Sequence, residues 1–131
     1  MFRIGAAATD NPASIKCCYA QVTQLYYDSF ETPDGTDYVV PVGKTLHISR
    51  IMFTSSGANE PAEIGYGDVG VNDQAAAPAG AVIMVKRIMV NTAANTFVYD
   101  VNIQIPGGKY PFLHSGAGSQ GMYMVIFGIE V

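Results

Sequence analysis

The chain has no tryptophan, only two cysteines and two histidines, and few charges, and each shortage excludes something. Without the broad indole face, Tyr19, Tyr26, Tyr27, Tyr38, Tyr66 and Tyr110 make a weak sugar-stacking platform, and strand, core and subunit-contact roles suit them better. Cys17 and Cys18 are adjacent, so in a strand they point to opposite faces and a normal disulfide between them is strained. A disulfide framework is excluded, and free thiols predict assembly in a reducing cytoplasm. Charged residues make up 14% of the chain against about 25% in ordinary soluble domains, while apolar residues make up 49%. That is too little charge to cover a free monomer in the usual way, and it predicts a homo-oligomer with surface buried between copies. The seven basic residues are scattered, Lys86-Arg87 is their one adjacent pair and the net charge is -4, so no electrostatic footprint for nucleic acid is present.

Long apolar runs are missing too. The opening "MFRIGAAATDNPAS" has a lone Arg3, and Asp10 and Pro12 interrupt its apolar stretch, so no export is expected. No segment approaches the ~20 unbroken apolar residues of a membrane helix, since even the run before Val131 is broken by Gly128 and Glu130. We expect a soluble protein with no membrane partner. At 131 residues the length suits one domain with a real core.

Helical periodicity is nearly absent. Short runs rich in Val, Ile, Tyr, Phe and Thr alternate with Gly, Pro, Asn and Asp, which predicts an all-β chain. Strands are expected over residues 17–27, 37–40, 44–54, 62–66, 81–90, 96–105, 110–114 and 121–131. In "TFVYDVNIQI", Phe97, Tyr99, Val101, Ile103 and Ile105 share one face and Asp100, Asn102 and Gln104 the other. In "GMYMVIFGIEV", Tyr123, Val125, Phe127, Ile129 and Val131 oppose Met122, Met124 and Ile126, so both faces are covered, as in a central strand or one side of a subunit contact. In "KTLHISRIMF" the apolar parity changes between Ile48 and Ile51; a β-bulge near Ser49 or Arg50 would restore one apolar face, and the alternative is burial on both sides.

Two strands open alike, through Pro41-Val42-Gly43-Lys44 and Pro106-Gly107-Gly108-Lys109. Pro fixes its backbone and gives no N–H to a ladder, Gly allows the bend and Lys keeps the strand mouth solvated. Equivalent strands in two halves of a sandwich would begin this way. The expected fold is an antiparallel β-sandwich of jelly-roll type with about eight strands, over residues 17–131, preceded by an arm or irregular segment over 1–16. The arm, with Phe2, Arg3 and Ile4, would order on binding.

The segment "YVVPVGKTLHISRIMF", the Gly-rich "IGYGD" and the closing "YMVIFGIEV" resemble small jelly-roll virion proteins of tailed bacteriophages, over roughly residues 37–131. The resemblance implies a non-enzymatic, trimeric module on a capsid or tail. Its partners would be further copies and the major capsid protein or other virion proteins, and its place the virion, assembled in the host cytoplasm. "VPVGK" is also similar to a cupin segment, but the cupin metal site needs a His-x-His pair, and His47-Ile48-Ser49 stands there instead.

No catalytic, metal or cofactor residues are assigned, and no cofactor is expected. His47 and His114 are too few for a metal or acid–base cluster, and Cys17 or Cys18 with His47 would need a shared cleft. Glu60, Glu63, Asp68, Asn72 and Asp73 concentrate oxygens, without the spacing of a calcium loop, and serve equally as solvated loop residues. "SGAGSQG" lacks the Lys-Ser/Thr ending of a phosphate loop and feeds a strand. Capsid or subunit contacts are expected at Phe2, Arg3, Ile4, Tyr26, Tyr27, Met122, Met124 and Ile126, and loop contacts at Asn59, Glu60, Asn72 and Asp73, within "TSSGANEPA" and "VNDQAAAPAG". The alternative function is a head-fibre or tail receptor-binding module that uses those loops on a host glycan or protein.

Overall fold

The structure, a computed structural model, describes residues 15–22, 26–55, 60–90, 96–115 and 121–131, without the side chains of 15–17, 60, 86, 87, 89 and 90. Phe2, Arg3 and Ile4 of the expected arm, Asn59, and the side chains of Cys17 and Glu60 lie outside this description. Every regular element within it is a β-strand: β1 (Ile15–Val22), β2 (Tyr27–Ser29), β3 (Thr45–Ser55), β4 (Glu60–Gly67), β5 (Val82–Val90), β6 (Thr96–Pro106), β7 (Tyr110–Ser115) and β8 (Met122–Glu130). They form two four-stranded antiparallel sheets, β1-β8-β3-β6 and β2-β7-β4-β5, closed face to face as the expected β-sandwich. The pairs β1·β8, β2·β7, β3·β6 and β4·β5 are nested, each inside the one before. The chain is thus one long antiparallel hairpin coiled over on itself.

In β3 the register shifts between Ile48 and Arg50 against both β6 and β8. Ser49 and Arg50 both face solvent, and the shift returns Leu46, Ile48, Ile51 and Phe53 to one fully buried face. Each such side chain contributes about 1.5–3 kcal/mol of burial, so correcting the parity decides the strand's stability. In β6 the expected alternation is present, but burial fades along it: Ile103 and Ile105 are buried, whereas Phe97, Tyr99 and Val101 are half-exposed. β8 lies between β1 and β3, as a central strand.

Two strand expectations need correction. Residues 17–27 are not one strand, because β1 ends at Val22 and β2 begins at Tyr27 in the other sheet. Residues 37–40 join no ladder beyond a single bridge, Glu31 to Asp37; this segment crosses the end of the sandwich, with Tyr38 N–H donating to Phe30 O and Val40 N–H to Lys109 O. Tyr38 and Val40 are buried and plug the end, while Val39 is exposed.

The two Pro and Gly openings start β3 and β7, one in each sheet, and they meet. Gly43 and Gly108 both have positive φ, 86° and 80°. Gly108 N–H donates to Val40 O at 2.6 Å, and a Cβ on Gly107 would lie 2.6 Å from Pro41 O and 2.8 Å from Lys44 O. The repeat therefore builds a single corner at one end of the β3·β6 pair, where Thr45 lies opposite Pro106.

Candidate functional site

Two surfaces stand out. The first is the outer face of the sheet β1-β8-β3-β6. Alternation along β8 sends Met122, Met124 and Ile126 inward, where they are 1%, 0% and 1% exposed, so these expected contact residues belong to the core. Tyr123, Val125, Phe127 and Ile129 point outward instead. With Met52 of β3 and Val98 of β6 they form an apolar band, in which Val98 is 56%, Tyr123 41% and Ile129 37% exposed. Tyr19 stacks on Tyr123 at the β1 side, with centroids 6.0 Å apart. The bulge borders a shallow depression of about 580 Å³ lined by Arg50, Met52, Val98, Asp100, Phe127 and Ile129. Arg50 reaches Asp100 at 3.1 Å, both side chains well exposed, and Gln21, Asn102 and Gln104 complete a polar rim. An apolar centre within a polar rim is the composition of an interaction surface.

The second surface is polar and lies where β1 and β2 run side by side. Asp28, buried at the start of the other sheet, accepts from the backbone N–H of Gln21 at 3.1 Å and of Asp73 at 2.9 Å. Burial pushes its carboxyl up to about 6, against the lowering effect of those two bonds. Tyr19, Gln21, Glu31, Asn72 and Asp73 surround it in a depression of about 250 Å³. Glu31 accepts from the Tyr19 phenol and holds it above its usual range. Asp73 sits at φ 45°, a left-handed conformation that Asp tolerates, and its N–H donates to Asp28.

The remaining expected residues separate. Tyr27 is half-buried and stacks flat on His114, centroids 3.9 Å apart, while Tyr26 packs against the core. His114 Nδ1 meets Glu63 Oε1 at 2.7 Å on the outside of the sheet β2-β7-β4-β5, and His47 lies on β3 of the other sheet, so the two histidines form no pair. Cys18 is a buried core residue. Asp68 binds Lys109 at 2.6 Å, Glu63 binds His114 and Asp73 faces Asp28, so the acidic stretch disperses. No group of three or more metal-ligating side chains converges among the described residues. Tyr38 donates to buried Glu130 at 2.6 Å, and its phenol is pushed up by burial and then by that carboxylate. The six tyrosines are thus distributed over both sheets and the core.

Sequence reasoning missed Asp28 and Ser29 altogether, because nothing local marks them; their partners are 45 and 42 residues away, at Asp73 and Val71. No protein-family model matches the chain, and no curated protein or solved structure does.

Proposed function

We propose that the protein is a non-enzymatic structural component of a tailed-phage virion: a trimeric capsid decoration (cement) or minor capsid protein that binds copies of itself and the major capsid protein or another virion protein. The reading takes the nested strand order as a jelly roll, β1-β8-β3-β6 against β2-β7-β4-β5. The observation that carries it is the apolar band on the outer face of the first sheet, Tyr123, Val125, Phe127, Ile129, Met52 and Val98, which a solitary domain gains nothing by exposing. Low charge and the resemblance of the "VPVGK" and "YMVIFGIEV" strands to phage virion proteins support the same reading.

The test is co-sedimentation of the purified protein with emptied phage shells, beside its solution mass by light scattering. Saturable binding by a species near three subunits is expected. A soluble monomer that ignores shells would refute the proposal.

A second reading, a head-fibre or tail receptor-binding module, rests on the depression that brings Asn72 and Asp73 beside the Tyr19 ring. An aromatic ring flanked by carboxylate and amide groups suits a sugar. Binding to host-surface glycans by a protein that ignores shells would favour it.

A further inference from the structure

The connection between β4 and β5, residues 68–81, is closed at its base and fastened at its tip around one buried carboxyl group. We propose that Asp28 is an acid-tightened latch: it shuts the segment 71–74 firmly onto β2 and β1 when it carries a proton, and lets that segment open locally when it does not. The latch is independent of the assembly reading, since it closes one flank whatever binds the outer face.

The geometry separates base from tip. At the base, Asp68 N–H donates to Ala79 O at 2.7 Å, and a Cβ on Gly67 would lie 2.6 Å from Pro78 Cγ, so the two ends of the connection are held together. At the tip, Tyr27 and Gln74 exchange two backbone bonds, Ser29 N–H donates to Val71 O, and Val71 N–H donates to Ser29 Oγ. Asp28 supplies the bonds that cross between segments. Its Oδ1 accepts from Asp73 N–H and its Oδ2 from Gln21 N–H, so a single side chain ties the connection and β1 to β2. Lifting 71–74 breaks these tip bonds and leaves the base closed, and within that segment it uncovers one apolar side chain, Val71. Local opening is therefore a much smaller event than unfolding.

The ionisable groups around Asp28 all carry or acquire its own sign of charge. Tyr19 faces it from β1, Glu31 from the residues after β2 and Asp73 from the connection, while β7 sets Leu113 opposite it in the ladder. Among the described residues, no Lys or Arg lines the depression. Asp28 is only 5% exposed, so its charge is held with little water and no facing cation. Burial is the main reason its carboxyl rises to about 6, with Glu31 and Asp73 adding to it against the two N–H bonds. When 71–74 lifts, water reaches the carboxyl and restores the ordinary value of 3.8. The closed flank thus binds the proton more tightly than the open one, and by linkage the proton favours closure. Closure is firmest below about pH 4, weakens between about pH 4 and 6, and changes little above that.

The experiment follows amide exchange of the full chain from pH 4 to pH 8, corrected for the intrinsic rate at each pH. The amides of Val71, Asp73 and Gln74 should open more often at pH 7 than at pH 4, on the order of a hundredfold. At each pH they should open more often than the core amides of β3, and dilute urea should leave that opening unchanged, because little surface is exposed. Asp28→Asn, which cannot ionise, should lose the pH dependence. Opening of 71–74 that is independent of pH overturns the latch, as does exchange of those amides only at the rate of the β3 core. A folded Asp28→Asn that keeps the wild-type pH dependence overturns it too, and if that variant does not fold, the wild-type series decides alone.

Discussion

The two flanks of the sandwich meet the same physical problem with opposite solutions. Along β1 and β2 the edge N–H groups of Tyr19, Gln21, Tyr27 and Ser29 all have acceptors within the chain. Among the described residues, the isolated backbone bridges fall on β1, β2 and the segments beside them rather than on β5 or β6. The covering on the first flank comes largely from the connection between β4 and β5, which leaves Gly67, reaches β2 at Val71 and Gln74 and returns to β5. To do so it crosses β7, and Phe112, which faces away from the core, is fully buried there against Tyr27 and Gly65. The connection thus seals the flank of β1 and β2 with the chain's own backbone, while on the other flank Phe97, Tyr99 and Val101 stay half-exposed.

The largest effect that would sharpen this contrast is a matched pair of truncations. Phe112→Ala should cost about 3–5 kcal/mol in urea unfolding, and Phe97→Ala on the open flank roughly half of that in the monomer, because Phe97 is only half-buried. Equal costs would mean the flanks are equally packed. Next in size is a pH effect on the sealed flank. The folded carboxyl of Asp28, near 6, lies above its ordinary 3.8, so its ionised form opposes folding above pH 6 and the opposition is relieved as pH falls from about 6 toward 4. The unfolding free energy of the wild type relative to Asp28→Asn should therefore move in the wild type's favour over that window, by on the order of 2–3 kcal/mol. A pH-independent difference would place the carboxyl at its ordinary value.

Smaller still is Ser29→Ala. It removes the acceptor of the buried Val71 N–H, 2.9 Å from Ser29 Oγ, and should cost about 1–2 kcal/mol while raising exchange in residues 68–81. If that segment exchanges as before, the seal does not depend on this bond. The smallest effect belongs to Arg50→Ala, since Arg50 and Asp100 are 58% and 80% exposed; thermal unfolding should register less than ~1 kcal/mol. A larger loss would show that the bulge relies on this ion pair.

Much of the fold was legible and the site much less so, for identifiable reasons. The parity change between Ile48 and Ile51 announces the bulge, because a strand with one buried face tolerates only one correction. The alternation from Phe97 to Ile105 likewise names the inward side of β6. The break between β1 and β2 was hidden, since Thr23, Gln24 and Leu25 contain no Gly or Pro and continue the β-rich composition. In β8 both alternating sets are apolar, so pattern alone could not tell that Met122, Met124 and Ile126 face the core while Tyr123 and Phe127 face out. The sealed flank could not be read at all, because Asp28 and Ser29 acquire their roles only when the segment 71–74 arrives from across the sheet.

The nested pairing also sets an order of assembly in time. Ile64 and Val85, in the innermost pair, are 85 − 64 = 21 residues apart, and Cys18 and Ile126, in the outermost, are 126 − 18 = 108 apart. Closed independently, the outer loop costs about 1.4 kcal/mol more in chain entropy than the inner one. Closed after its neighbours, it spans only the short connections that remain. The chain is therefore expected to zip outward from β4 and β5, with its terminal strands docking last, and pulse-labelled refolding in which β1 gains protection before β4 would contradict that order.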